Sequence, residues 1–171
     1  AVARIAAGVR EAMDRVPGAC QVYLENTAGA GDTIGRTFAQ LADVADRVDH
    51  DARVGFCLDT QHLFASGYPV HEPDGIDRVL DEFDHVVGMH RLRCLHLNDS
   101  ATAFASNRDR HANIGEGLIG EDGMRRILGC PGLQGLPVIL EVPGTGDGAD
   151  AENMERTRRL HREGLDARGA A

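Results

Sequence analysis

Two hydrophobic patterns alternate along this chain. Short apolar runs are separated by longer stretches in which apolar positions recur every three to four residues, the period of a helix with one buried face. The runs at 20–24, 54–58, 93–97 and 137–140 are rich in Val, Leu, Ile, Phe and Cys and predict four strands. Their near-continuous apolarity suits parallel strands covered on both faces. Helical spacing opens at Val2 and continues through Val9, Met13 and Val16 until Pro17-Gly18 ends it. It returns at 34–48, 75–87, 121–128 and 151–163, with Asp32-Thr33 and Asp74 as expected N-caps. This rhythm predicts an α/β fold of about four βα units with parallel strands, a single domain over residues 1–171. The stretch 98–120 fits neither period, and irregular connections of that length in a compact domain are characteristically functional.

Composition narrows the function classes. With 42% hydrophobic and 26% charged residues the 171-residue chain is ordinary for a globular domain with a real core. Its formal charge of −9 argues against a simple electrostatic nucleic-acid binder. No apolar run has membrane-spanning length, and Ala1-Val2-Ala3-Arg4 is not a leader pattern, so neither membrane insertion nor export is expected and a cytoplasmic location is. Every basic residue is Arg, which excludes a Walker-type lysine and lysine Schiff-base chemistry. Cys20, Cys57, Cys94 and Cys130 are far apart, so no zinc ribbon or redox pair is expected; three of them sit in apolar runs, as buried thiols do.

The strand ends carry the chemistry. Each predicted strand is followed at once by a metal-capable side chain: Glu25, Asp59, His96 and Glu141. In parallel α/β proteins the C-terminal ends of the strands lie on one face, so these four converge despite their separation in sequence. Two local motifs add to them. In Asp59-Thr60-Gln61-His62 the first and fourth residues can face the same mouth, and in Asp109-Arg110-His111 alternate residues of an extended loop point the same way. Mixed carboxylate and imidazole donors suit zinc, and paired metals typify phosphate-ester hydrolysis, whereas calcium prefers more oxygens. By themselves the residues carry the reading as far as a metal-binding α/β domain.

Five ordered motifs extend it: Leu24-Glu25-Asn26-Thr27-Ala28-Gly29, Leu58-Asp59-Thr60-Gln61-His62, His96-Leu97-Asn98-Asp99-Ser100, residues 109–117 (Asp-Arg-His-Ala-Asn-Ile-Gly-Glu-Gly) and Leu140-Glu141-Val142-Pro143. Together they resemble the endonuclease IV family of apurinic/apyrimidinic-site DNA repair enzymes. The resemblance implies the C-terminal part of a (β/α)₈ TIM barrel of the xylose-isomerase-like type, with three zinc ions at its mouth. It implies that Glu25 bridges two zincs, that Asp59, His96 and Glu141 complete one of those sites, and that His62, Asp109 and His111 hold the third ion. Glu141 and Glu25 are the implied catalytic residues, Glu141 orienting a metal-activated hydroxide. The implied reaction hydrolyses the phosphodiester 5′ to an abasic site in double-stranded DNA, leaving a 3′-hydroxyl, with trimming of blocked 3′ ends as a related activity.

The match covers only the second half of such a barrel, since four strands are found where eight are needed. The chain therefore reads as truncated. One zinc site retains only Glu25, and self-association or a missing N-terminal half is expected to cover the open sheet. Gln61 stands where many relatives have Cys, and Val142 where a polar residue is common. A one-metal sugar isomerase or epimerase of the same superfamily and a non-catalytic half-barrel assembly module are the competing readings; His62 and Asp109-x-His111 argue against the isomerase. Arg108, Arg110 and Asn98 are candidate DNA contacts, with solvated charge the alternative for the arginines and backbone capping the alternative for Asn98 and Asp99. Gly115, Gly117 and Gly120 read as turn residues, and His50, His71, His85, His90 and His161 as surface or helix-end histidines.

Overall fold

A computed structural model describes residues 1–18, 21–48 and 51–169. Four parallel strands, β1 (Val22–Glu25), β2 (Val54–Asp59), β3 (Leu92–His96) and β6 (Val138–Ile139), form one sheet in the order β1-β2-β3-β6. Helix α1 (Val2–Arg15) precedes them, and α2 (Phe38–Arg47), α3 (Thr60–Ser66), α4 (Gly75–Val86), α5 (Gly120–Leu128) and α6 (Ala151–Gly169) lie between and after them. No helix among the described residues is long and apolar enough to cross a membrane.

Strand β2 is buried along its whole length, as its continuous apolarity predicts. Phe56 and Leu58 point into a core that α2 and α4 complete with Phe38, Leu41, Ile76, Val79 and Phe83. These positions recur at helical spacing, and their rings interlock: Phe38 meets Phe83 edge-on at 5.2 Å, and Phe56 meets Phe83 at 5.9 Å. Each fully buried aromatic of this kind contributes roughly 1.5–3 kcal/mol through area removed from water. The outer strands differ from expectation. Val138 and Ile139 of β6 and Tyr23 of β1 are 41–47% exposed, because an edge strand has a neighbour on one side only.

Local chemistry sets the boundaries. Helix α2 begins at Phe38, four residues later than its periodicity predicts, since Gly35 has φ +104° and Thr37 caps the helix by accepting from Gln40 N. Gln40 Oε1 reaches back to the Gly35 and Arg36 amides, so Asp32-Thr33 is not the cap. Asp74 occupies the N-cap position of α4 without a side-chain capping bond. Helix α6 runs to Gly169, beyond the predicted end, and crosses α5 so closely that Gly164 has no room for a Cβ beside Arg125 O. The stretch 98–120 is not wholly irregular: β4 (Asp99–Ser100) and β5 (His111–Ala112) pair antiparallel. The Asp99 carboxylate accepts the amides of Ser100, Gly117, Ile119 and Gly120, so the glycines there serve a turn and Asp99 caps it. Cys57, Cys94 and Cys130 are buried free thiols, while Cys20 and His50 lie outside the described residues. His85 and His90 are exposed at the end of α4 and just before β3, whereas His71 packs between Phe64 and Phe104.

Candidate metal centre

Parallel pairing brings the strand ends to one mouth. Asp59 is the register partner of His96 on β3, Glu25 ends the neighbouring β1, and Glu141 follows β6 by two residues. Donor atoms of Glu25, Asp59, His96 and Glu141 all lie within 4.8 Å of one another. His96 Nδ1 sits 3.1 Å from Glu25 Oε1 and 3.2 Å from Glu141 Oε2.

A second group shares Asp59. Donor atoms of Asp59, His62 and His111 likewise fall within 4.8 Å. Asp59 is at once the last residue of β2, the N-cap of α3 and a member of both groups; its Oδ1 accepts His62 N at 2.9 Å, which fixes the first turn of the helix. His111 arrives from the other side because β5 pairs with β4. Asp109 closes this group from solvent, with Oδ2 at 3.2 Å from His62 Nε2 and Oδ1 at 3.3 Å from His111 Nε2.

The two imidazoles are oriented alike. His62 Nδ1 lies 2.9 Å from Asn26 O and His111 Nδ1 lies 3.1 Å from Glu141 O, so backbone carbonyls hold the Nδ1 protons and turn both Nε2 atoms inward. Each Nε2 is buried and makes no well-aligned hydrogen bond, the Asp109 carboxylate lying near both. Two buried imidazole nitrogens converging with a carboxylate fit a cation, a proton on His62 in the metal-free fold or a metal ion in its place, and the carbonyl behind each ring is the usual support of a metal-ligating histidine. Electrostatics agree. Burial lowers the basicity of His62, yet its hydrogen bond to Glu25 and the charges of Asp59 and Asp109 outweigh this and push it up to about 9. Burial drives Asp59 above the usual carboxylate range, opposed by His62 and His111. Burial also raises Glu25, but the His62 hydrogen bond and the charges of His96 and His62 leave it lowered overall. Negative charge is concentrated where positive charge is wanted.

All seven residues expected as ligands thus stand at one mouth. The three expected DNA contacts do not behave alike. Arg108 and Arg110 are exposed on the loop that carries Asp109, whereas Asn98 is wholly buried, its side chain bonded to Asp59 and to Glu141 N. Its place is behind the ligands, not on a DNA-facing surface. Gln61 is also buried, and its Nε2 donates to Arg108 O and Ser100 Oγ, tying the loop to α3. Val142 packs in the apolar core. Sequence reasoning missed Asn26 and Thr60, which brace Asp59 and Asn98; the available signal was that each directly follows a strand-end ligand.

A family model described as a xylose isomerase-like TIM barrel matches residues 1–164. Probable endonuclease 4 of Halothermothrix orenii is 44% identical over 157 residues, 91% of this chain and 56% of that protein. Probable endonuclease 4 of Chlorobium limicola is 47% identical over 141 residues, 81% of this chain and 48% of that protein. Endonuclease IV from Thermus thermophilus superimposes with a TM-score of 0.80 at 35% identity, across 98% of this chain and 58% of that one. The chain spans about half the length of the curated relatives it matches.

Proposed function

The chain belongs to the xylose isomerase-like TIM barrel family, and from that premise we propose that it supplies the metal-holding mouth of a zinc-dependent DNA repair endonuclease. The reaction is hydrolysis of the phosphodiester 5′ to an abasic site in double-stranded DNA, leaving a 3′-hydroxyl. The observation that carries this reading is the pair of donor groups sharing Asp59, with two buried Nε2 atoms aimed at one of them. The similarity to proteins named endonuclease 4 supports a nucleic-acid substrate, and the abasic lesion is what the sequence motifs imply.

Glu25, Asp59, His96 and Glu141 would hold one ion, and His62, Asp109 and His111, with Asp59 beside them, a second. Zinc in such sites lowers the pKa of coordinated water towards neutrality and neutralises charge on a phosphate oxygen. The chain's own groups divide the remaining work. Glu141 and Glu25 are more open than Asp59, with side chains 43% and 34% exposed against none, so a phosphodiester enters on their side. Glu141 is the candidate to orient the attacking water and take its proton, and Arg108 and Arg110 stand exposed on the adjoining loop to meet backbone phosphates.

Elemental analysis of the purified chain, with an abasic-site duplex assayed on the same sample, tests this. The expected result is one zinc per group, two per chain, with any incision 5′ to the lesion abolished by Glu141→Gln; zinc without incision by the wild-type chain would mean that catalysis needs the other half of the barrel. Absence of zinc rejects the metal reading. Zinc with retained incision in Glu141→Gln rejects the role given to Glu141, and turnover of free ketoses without incision would replace the endonuclease by a sugar isomerase.

A further inference from the structure

Three buried polar side chains run sideways across the strand ends, each gripping the strand beyond its own. Asn26, next to Glu25, holds the backbone of Asp59 on both sides: its Oδ1 accepts Asp59 N at 2.7 Å and its Nδ2 donates to Asp59 O at 3.2 Å. Thr60, next to Asp59, does the same for Asn98, its Oγ1 accepting Asn98 N at 2.9 Å and donating to Asn98 O at 2.7 Å. Asn98, two residues past His96, accepts Glu141 N at 2.9 Å and donates to Asp59 Oδ2 at 2.6 Å. Asn26, Thr60, Asn98 and Asp59 are at most 1% exposed.

Burying this much polarity is unfavourable unless every group is paired, and here the pairing is reciprocal along the row. Asn98 differs from the other two because it reaches a carboxylate oxygen as well as backbone. One Asp59 oxygen is fixed by His62 N and the other by Asn98 Nδ2, so the carboxylate cannot rotate. The same amide fixes the start of the segment carrying Glu141. The Asn98 amide does both because it carries a donor and an acceptor on separate atoms of one planar group; Asp lacks the donor, and Leu or Ala lacks both.

Building on the metal reading above, we propose that Asn98 is a positioning residue that sets the orientation of Asp59, the carboxylate common to both donor groups, and couples it to Glu141. Metal affinity and coordination geometry therefore depend on a residue that touches neither the metal nor the substrate.

The test is a Co²⁺ titration followed by visible absorption, comparing wild type with Asn98→Ala. A bracing partner of this kind is worth about 10- to 100-fold in metal affinity, and the expected result is a loss of that size with altered ligand-field bands. Where Asn98→Ala does not fold, the wild-type chain answers the question by NMR: the Asn98 side-chain amide signals should move when Zn²⁺ is added, while those of Asn153, buried at the start of α6, stay in place. Unchanged affinity and spectrum in a folded Asn98→Ala, or an unmoved Asn98 amide in a chain that takes up Zn²⁺, overturns the proposal alone. A wild-type chain that takes up neither Co²⁺ nor Zn²⁺ overturns the metal reading and this proposal together.

Discussion

The two donor groups at the mouth share a carboxylate but not an environment. The group of Asp59, His62 and His111 is rich in imidazole and enclosed, with the histidine side chains 12% and 18% exposed. The group of Glu25, Asp59, His96 and Glu141 has three carboxylates and opens on the Glu25 and Glu141 side. Enclosure suits an ion held by protein alone, and an open flank leaves room for a substrate oxygen. On the metal reading proposed above, one fold would make a retaining site and a working site from adjacent strand ends, linked through Asp59.

Breaking the link has the largest expected effect. Asp59→Asn removes a ligand from both groups, and elemental analysis should find neither ion, with affinity down at least about 100-fold. Asn keeps the cap on α3, but its amide sets a donor against Asn98 Nδ2 or His62 N and removes a charge that pairs with His62, so the metal-free fold should lose stability as well. Glu141→Gln strikes only the open group: incision of abasic duplex should be lost while one zinc per chain remains. His111→Gln is the converse, removing the enclosed ion and leaving the four-residue group its own.

A smaller effect sharpens the comparison through protons. In the metal-free fold His62 is raised to about 9 from an ordinary value of 6.5, so its pairing stabilises the fold fully below pH 6.5 and is lost as pH rises towards 9. The metal-free melting temperature should fall across that window while zinc uptake improves, since the ion displaces the proton. His62→Gln should flatten both slopes, measured by thermal melts and zinc titrations at each pH. The smallest effect lies far from the mouth. Thr37→Ala removes the α2 cap and should cost about 1 kcal/mol in urea denaturation with zinc content unchanged.

Sequence and structure part company in an orderly way. The four strands, and the convergence of Glu25, Asp59, His96 and Glu141, were legible because apolar runs report burial and parallel pairing then aligns their ends. Helix α3 was not, since seven residues following a strand without a break leave no room for a period to show. The β4 and β5 ladder is two residues a side and polar, yet it delivers His111. Asn98, which follows a strand end, reads in the sequence as a DNA contact or a backbone cap; only the fold shows that it is wholly buried between Asp59 and Glu141. Local pattern carries the elements, whereas the bracing behind the ligands depends on contacts between residues some 40 positions apart, which no local period encodes.

Helix α3 is about 10 Å long at 1.5 Å per residue, and both of its ends are engaged. Asp59 fastens the first turn, while the carbonyls of Phe64 and Ala65 in the last turn accept the amides of Ala105 and Asn107 from the loop bearing Asp109. In mechanical terms α3 is a strut clamped at both ends. The 101–110 excursion, though it runs through solvent, therefore inherits the positional tolerance of the sheet, and Asp109 is located as a strand residue would be.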